Sequence, residues 1–203
     1  MNREQRWKPD LTRPEKLTDW APVVLIVAVC LGLGLGGEEF REWGRYERDA
    51  LAAGELWRLI TAHLVHLGWG HLWLNLIAFI LMALLFGDLM TAADWVIAGL
   101  LGAACIDIGL YLYHSELGWY VGLSGVLHGL MVIGAFALVR ARSPVGHVLL
   151  AGVAAKLTWE QFMGPLPFSE ATSGGPVLVE AHLYGTIGGV AAVLIQATRR
   201  RLR

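Results

Sequence analysis

Residues 122–129, GLSGVLHG, sit inside the apolar run from Trp119 to Arg140, and a serine and a histidine in such a place decide how the chain is read. A run of that length matches a membrane span, which needs roughly 20 mostly apolar residues to cross about 30 Å of hydrocarbon. Polar side chains are costly there, so each is a candidate for function as well as for packing. Working outward, five further stretches have the same character: Trp20–Gly36, Gly70–Gly87, Asp94–Tyr113, Val145–Met163 and Pro176–Ala197. The composition agrees, with 56% hydrophobic and 16% charged residues among 203 and a mean hydropathy of +0.54. These values exclude an ordinary water-soluble domain. The expectation is an all-α membrane protein of six transmembrane helices, with 1–19 as a cytoplasmic N-terminal segment, 20–197 as one membrane domain and 198–203 as a basic cytoplasmic tail.

Lys and Arg set the orientation of such a bundle, because acidic residues contribute little to it. With the N-terminus inside, eleven basic residues fall on the cytoplasmic side, from Arg3 to Lys16, at Arg140 and Arg142, and from Arg199 to Arg203. The outer loops hold Arg41, Arg45, Arg48 and Arg58, all in the first loop. Both termini are therefore expected in the cytoplasm. The net charge of −1 gives no reason to expect a nucleic-acid partner, and the C-terminal arginines read as a cytoplasmic stop. No small-x-small cleavage site follows the first span, which reads as an uncleaved helix. Cys30 and Cys105 lie in different apolar spans and read as packing thiols rather than a disulfide or metal pair.

The polar interruptions fall into groups. One is WRLITAHLVHLGWGHLWLNL at 57–76, another is GLSGVLHG, and a third is EAHLYGTIGG at 180–189, with Asp107, Lys156 and Glu160 standing apart. Ser124 and His182 each fall about six residues beyond the start of an apolar run, which places both about 9 Å below the outer surface at ~1.5 Å per residue. His71 and Asn75 are four residues apart on one helical face in the same outer half. Gly125 with Gly129, and Gly185 with Gly189, form two small-xxx-small stripes through which the fourth and sixth helices can approach backbone to backbone.

Such a set can perform acyl transfer. A serine hydroxyl becomes nucleophilic when a neutral imidazole accepts its proton, and the tetrahedral intermediate needs donors aimed at its oxyanion. Ser124 and His182 fit the first pair of roles, while His71, the Asn75 amide and the Ser124 backbone N–H are candidates for the second. His128 lies four residues after Ser124 on the same face and stays open as an alternative base. No carboxylate is clearly placed to orient His182, so a dyad is expected rather than a triad; Glu180, two residues away, points elsewhere. Lys156 and Glu160 are one turn apart and read as an ion pair inside the bundle or as a substrate contact. Asp107 has no partner that spacing identifies. The buried charges leave a transporter as a weaker reading, and His63, His66 and His71 lack the H-E-x-x-H spacing of a zinc protease, so no metal or cofactor is expected.

Taken together, Trp57-Arg58, His71-x-x-x-Asn75, Gly122-x-Ser124-Gly125 and Ala181-His182-x-x-Gly185-x-x-x-Gly189 closely resemble, in order, the motifs of the rhomboid family of intramembrane serine proteases. The resemblance covers the chain from Trp20 to Ala197. It implies a six-helix rhomboid bundle with a membrane-associated first loop, a Ser124–His182 dyad, an oxyanion site of His71, Asn75 and the Ser124 N–H, and no metal. It also implies that Trp57, Trp69 and Trp73 cluster in the first-loop region, where they also fit interfacial anchors. His128 departs from the commonest pattern, in which an aromatic residue packs on the catalytic histidine; His128 and Gly122 are expected to line the substrate pocket or pack behind the catalytic pair. GLSGVLHG, KLTWEQFMGP at 156–165 and GGPVLVEAHLYG at 174–185 look like the rhombosortase branch. That branch implies membrane-tethered clients with a C-terminal Gly-Gly motif, an apolar helix and a basic end. It further implies a bacterial inner-membrane protein whose active site opens to the periplasm. A generic rhomboid protease with other substrates, and a non-catalytic rhomboid-like client-binding protein, are the alternatives.

Overall fold

The computed structural model describes residues 17–201, with side chains from 20 to 199. The N-terminal basic residues and the end of the tail, on which much of the orientation reading rests, lie outside the described residues. Chain order is α1 (Leu17–Leu35), α2 (Gly37–Gly44), β1 (Tyr46–Glu47), α3 (Arg48–Ala52), α4 (Arg58–Thr61), α5 (Trp69–Phe86), α6 (Ala92–Tyr113), β2 (Trp119–Tyr120), α7 (Ser124–Arg140), α8 (Pro144–Met163), α9 (Ser169–Ser173) and α10 (Val179–Arg201). The protein is mostly helical. Among the described residues, Trp69–Phe86, Ala92–Tyr113 and Val179–Arg199 are long and apolar enough to cross a membrane, and α1 with α2, bent by 118°, adds a fourth if the pair is one span. α7 is a turn short at 17 residues, and α8 carries Lys156 and Glu160.

Local chemistry explains the boundaries. Gly37 at φ 61° breaks α1 from α2, a conformation that a Cβ would strain. Thr91 and Asp94 form a reciprocal capping box at the start of α6. Pro144 occupies the first turn of α8, where its missing N–H costs nothing. The fourth helix begins five residues later than the apolar pattern suggests. Trp119 and Tyr120 instead pair antiparallel with Glu47 and Tyr46, and Gly122 turns the chain at φ 121° before Ser124 opens α7. Likewise α10 starts at Val179 rather than Pro176, so His182 lies in its first turn. Ser124 and His182 therefore come together where two helix starts meet.

α10 packs chiefly on α7 and α6. A Cβ on Gly129 would lie 2.5 Å from the Gly185 carbonyl oxygen, and one on Gly125 would lie 2.7 Å from that of Ala181. Gly185 and Gly189 face the Gly125 and Gly129 backbones in return. A third close approach, missed in the motifs, sets Gly188 against Leu101 and Gly102 of α6. Each is a backbone-to-backbone contact that only glycine permits.

The first loop is a folded unit. Arg58, buried at 7% exposure, donates through Nη1 to the carbonyls of Glu42 and Arg45 at 2.7 and 2.8 Å and through Nε to Glu55 at 2.7 Å. Trp57 does not join Trp69 and Trp73. It stacks on Trp43 at 6.1 Å, while Trp69 stacks on Trp73 at 6.3 Å, giving two separate half-exposed pairs. Asp107 gains the partner spacing could not name, His63 at 3.2 Å. The two cysteines are free, Cys30 buried and Cys105 partly so.

If the glycine contact fixes the helix spacing, Gly185→Val lowers stability in detergent by about 1–3 kcal/mol through overpacking. Gly152→Ala, at a helical glycine with nothing within 4 Å, leaves it unchanged or raises it by up to about 1 kcal/mol. Thermal unfolding followed by tryptophan fluorescence measures both.

Candidate active site

The turn before Ser124 is held at both ends. The Gly122 N–H donates to the Ala62 carbonyl at 2.8 Å, and the Tyr120 hydroxyl donates to the Gly122 carbonyl at 2.7 Å. Ser124 is the first residue of α7, and the first regular helical bond there runs from the Leu127 N–H to the Leu123 carbonyl. The N–H groups that precede it have no intrahelical acceptor, which makes this helix start a ready donor for negative charge.

His182 Nε2 lies 3.1 Å from Ser124 Oγ, within hydrogen-bond reach. The ring is 5% exposed and is clamped from one side by His128, whose imidazole stacks on it with centroids 4.2 Å apart and planes 21° from parallel. His128 Nδ1 lies 2.7 Å from the Ser124 carbonyl oxygen, so that nitrogen carries a proton and donates it. This geometry removes the ambiguity left by spacing. The Ser124 hydroxyl meets His182, while His128 packs a flat face on the His182 ring.

The far edge of His182 faces a carboxylate that spacing did not place beside it. Its Nδ1 lies 2.9 Å from Glu160 Oε2 and 3.2 Å from Lys156 Nζ. Lys156 also bonds Glu160 Oε1 one helical turn along α8. The Lys156–Glu160 pair was legible as a pair; that it faces His182 was not.

His71 and Asn75 line the same cavity, of about 750 Å³, as Ser124, His182, Lys156 and Glu160. A Cβ on Gly122 would meet the His71 ring at 2.6 Å, so a glycine there lets the imidazole close on the turn before Ser124. The Leu67 N–H points at His71 Nδ1 at 3.4 Å, a weak contact that favours the proton on Nε2. The Asn75 amide donates to the His71 carbonyl at 2.9 Å, which commits one of its two protons. Behind His71, His66 packs edge-on at 5.1 Å; burial first, then the neighbouring His71, hold the His66 imidazole down to about 3, so it is neutral.

Among the described residues, His128, Glu160 and His182 offer donor atoms within 4.8 Å of one another, a spacing a metal could use. The donor set does not fit one. His182 turns Nε2 to Ser124 and Nδ1 to Glu160, and the Lys156 amine already neutralises that carboxylate, where a divalent cation would meet a like charge.

The sequence model of the family described as the rhomboid domain matches residues 53–199. Among curated proteins, the one named "Putative rhomboid protease YdcA" of Bacillus subtilis (strain 168) is 26% identical over 157 residues, covering 74% of this chain and 73% of that protein.

His128→Phe keeps a flat ring against His182, whereas His128→Ala opens a void behind it. The alanine variant is expected to react with a fluorophosphonate at Ser124 about tenfold more slowly, a difference of roughly 1.4 kcal/mol in barrier, and the phenylalanine variant at close to the native rate. Labelling time courses at matched folded protein read the two rates.

Proposed function

The chain belongs to the rhomboid family, and from that premise we propose that it is an intramembrane serine endopeptidase in which Ser124 is the nucleophile and His182 the general base. The observation that carries the reading is the 3.1 Å approach of Ser124 Oγ to His182 Nε2 in the wall of a cavity also lined by His71 and Asn75. The Ser124 proton passes to Nε2 as Oγ attacks the scissile carbonyl carbon. Negative charge gathers on the carbonyl oxygen, where the Ser124 N–H, the His71 Nε2–H and the uncommitted Asn75 proton are the donors. His182 then protonates the leaving amine, the C–N bond breaks, and water resolves the acyl-enzyme.

In this reading α1, α5, α6, α7, α8 and α10 form six spans, with both termini cytoplasmic and the site opening to the outer, periplasmic side of a bacterial inner membrane. α7 spans despite its length because the buried turn Val121–Leu123 extends it, and α8 tolerates Lys156 and Glu160 because both face the cavity. The clients are membrane-tethered proteins with a C-terminal Gly-Gly motif, an apolar helix and a basic end. Glycine next to a helix lowers the cost of unwinding it into the site. The 156–165 and 174–185 segments that resemble the rhombosortase branch both contribute to the cavity wall, through Lys156, Glu160, Pro176 and His182 among others. A non-catalytic client-binding role fits less well, because such a protein has no use for a hydroxyl held on an imidazole.

A membrane-tethered reporter with a Gly-Gly, apolar helix and basic tail tests this in coexpression. Native protein cleaves it; Ser124→Ala and His182→Ala lower cleavage by about 10³-fold or more. Cleavage of a generic transmembrane reporter but not the Gly-Gly one moves the reading to a rhomboid of other specificity. Equal processing by native and Ser124→Ala proteins excludes serine chemistry.

A further inference from the structure

We infer that Glu160 is a positioning residue that, held by Lys156, selects the tautomer of His182 required for Ser124 to attack. The inference rests on the protease reading above and adds a third member to its dyad. A ring nitrogen holds either a proton or a lone pair, so His182 Nδ1 can serve only one of its two neighbours. With the proton on Nδ1, it donates to Glu160 Oε2 at 2.9 Å and leaves Nε2 a lone pair for the Ser124 proton. With the proton on Nε2, Nδ1 would accept from Lys156 at 3.2 Å and the nitrogen facing Ser124 could not act as a base. The second arrangement would leave one oxygen of a carboxylate only 2% exposed without a proton donor. A buried charge left short of partners is strongly disfavoured, which selects the first.

Lys156 has its own part. Its bond to Glu160 Oε1 occupies one carboxylate oxygen and leaves the other turned to the ring. It sits four residues before Glu160 on one helical face, with a side chain 29% exposed toward the cavity. Also facing His182 are Ser124 and His128 from α7 and His71 from α5. During the reaction the Ser124 proton moves to Nε2 and then to the leaving amine. The Nδ1 proton stays in place, and Glu160 stabilises the transient imidazolium without itself being protonated.

The test compares native protein with Glu160→Gln and Lys156→Met in detergent, at matched melting temperature. It reads the fluorophosphonate labelling rate at Ser124 and kcat and KM on the reporter. Gln keeps the shape but offers Nδ1 an amide proton, so labelling and kcat are expected to fall at least about a hundredfold with KM unchanged; Lys156→Met is expected to cost about tenfold in kcat. Native rates in Glu160→Gln overturn the inference and leave an ion pair of purely structural use. If Glu160→Gln does not fold, ¹⁵N-histidine NMR of the native protein decides it: Nδ1–H on His182 supports the inference and Nε2–H overturns it. Native protein that labels no faster than Ser124→Ala removes the protease reading and this inference together, an outcome separable from the loss of Glu160's role alone.

Discussion

The contact between α7 and α10 is made by backbone, and the site depends on it. Gly125 and Gly129 lie against Ala181, Gly185 and Gly189 so closely that a methyl group on any of these glycines would overlap a carbonyl. Lipid tails offer no hydrophobic drive to bring helices together, so association rests on close packing and hydrogen bonds. Glycine provides both close approach and an interface with no rotamers to settle. Ser124 precedes the first stripe by one residue and His182 precedes the second by three, so the same approach that joins the helices sets the Oγ–Nε2 distance.

Around that axis, every buried charge described has been given company. Glu160 meets Lys156 and His182, Asp107 meets His63, and Arg58 is spent on two carbonyls and Glu55. A charge removed from water costs several kcal/mol unless it is paired and hydrogen-bonded. The pairings divide by use. Arg58 ties down the first loop, Asp107 and His63 join that loop to α6, and the Glu160 pair sits at the edge of the imidazole where chemistry is expected.

Much of this was legible in the chain. The apolar runs located the long helices among the described residues, and the spacing of Ser124, His182, His71 and Asn75 picked out residues that share one cavity. Boundaries were less legible. Trp119, Tyr120 and Val121 continue the apolar run, so nothing local separates them from α7; what turns them into strand and turn is pairing with Tyr46 and Glu47, distant in sequence, and a positive φ at Gly122. The Glu160 contact was hidden for a related reason. The i, i+4 spacing of Lys156 and Glu160 says that they share a face of α8, but which neighbour that face meets depends on the rotation of α8 in the bundle, which no local period encodes. Trp57 shows the same limit, since it stacks on Trp43 and leaves Trp69 and Trp73 to stack on each other.

The order in which the chain is made gives the distance between Ser124 and His182 another meaning. The two residues are separated by 58 positions, and Tyr120, which braces the turn before Ser124, pairs with Tyr46 far upstream. A chain emerging from the ribosome therefore carries Ser124 long before it carries the imidazole, and α10 must dock on α7 before the pair exists. Until then the serine is an ordinary alcohol. In the proposed mechanism, a chain cut short before α10 lacks the base for its serine and leaves its neighbours intact.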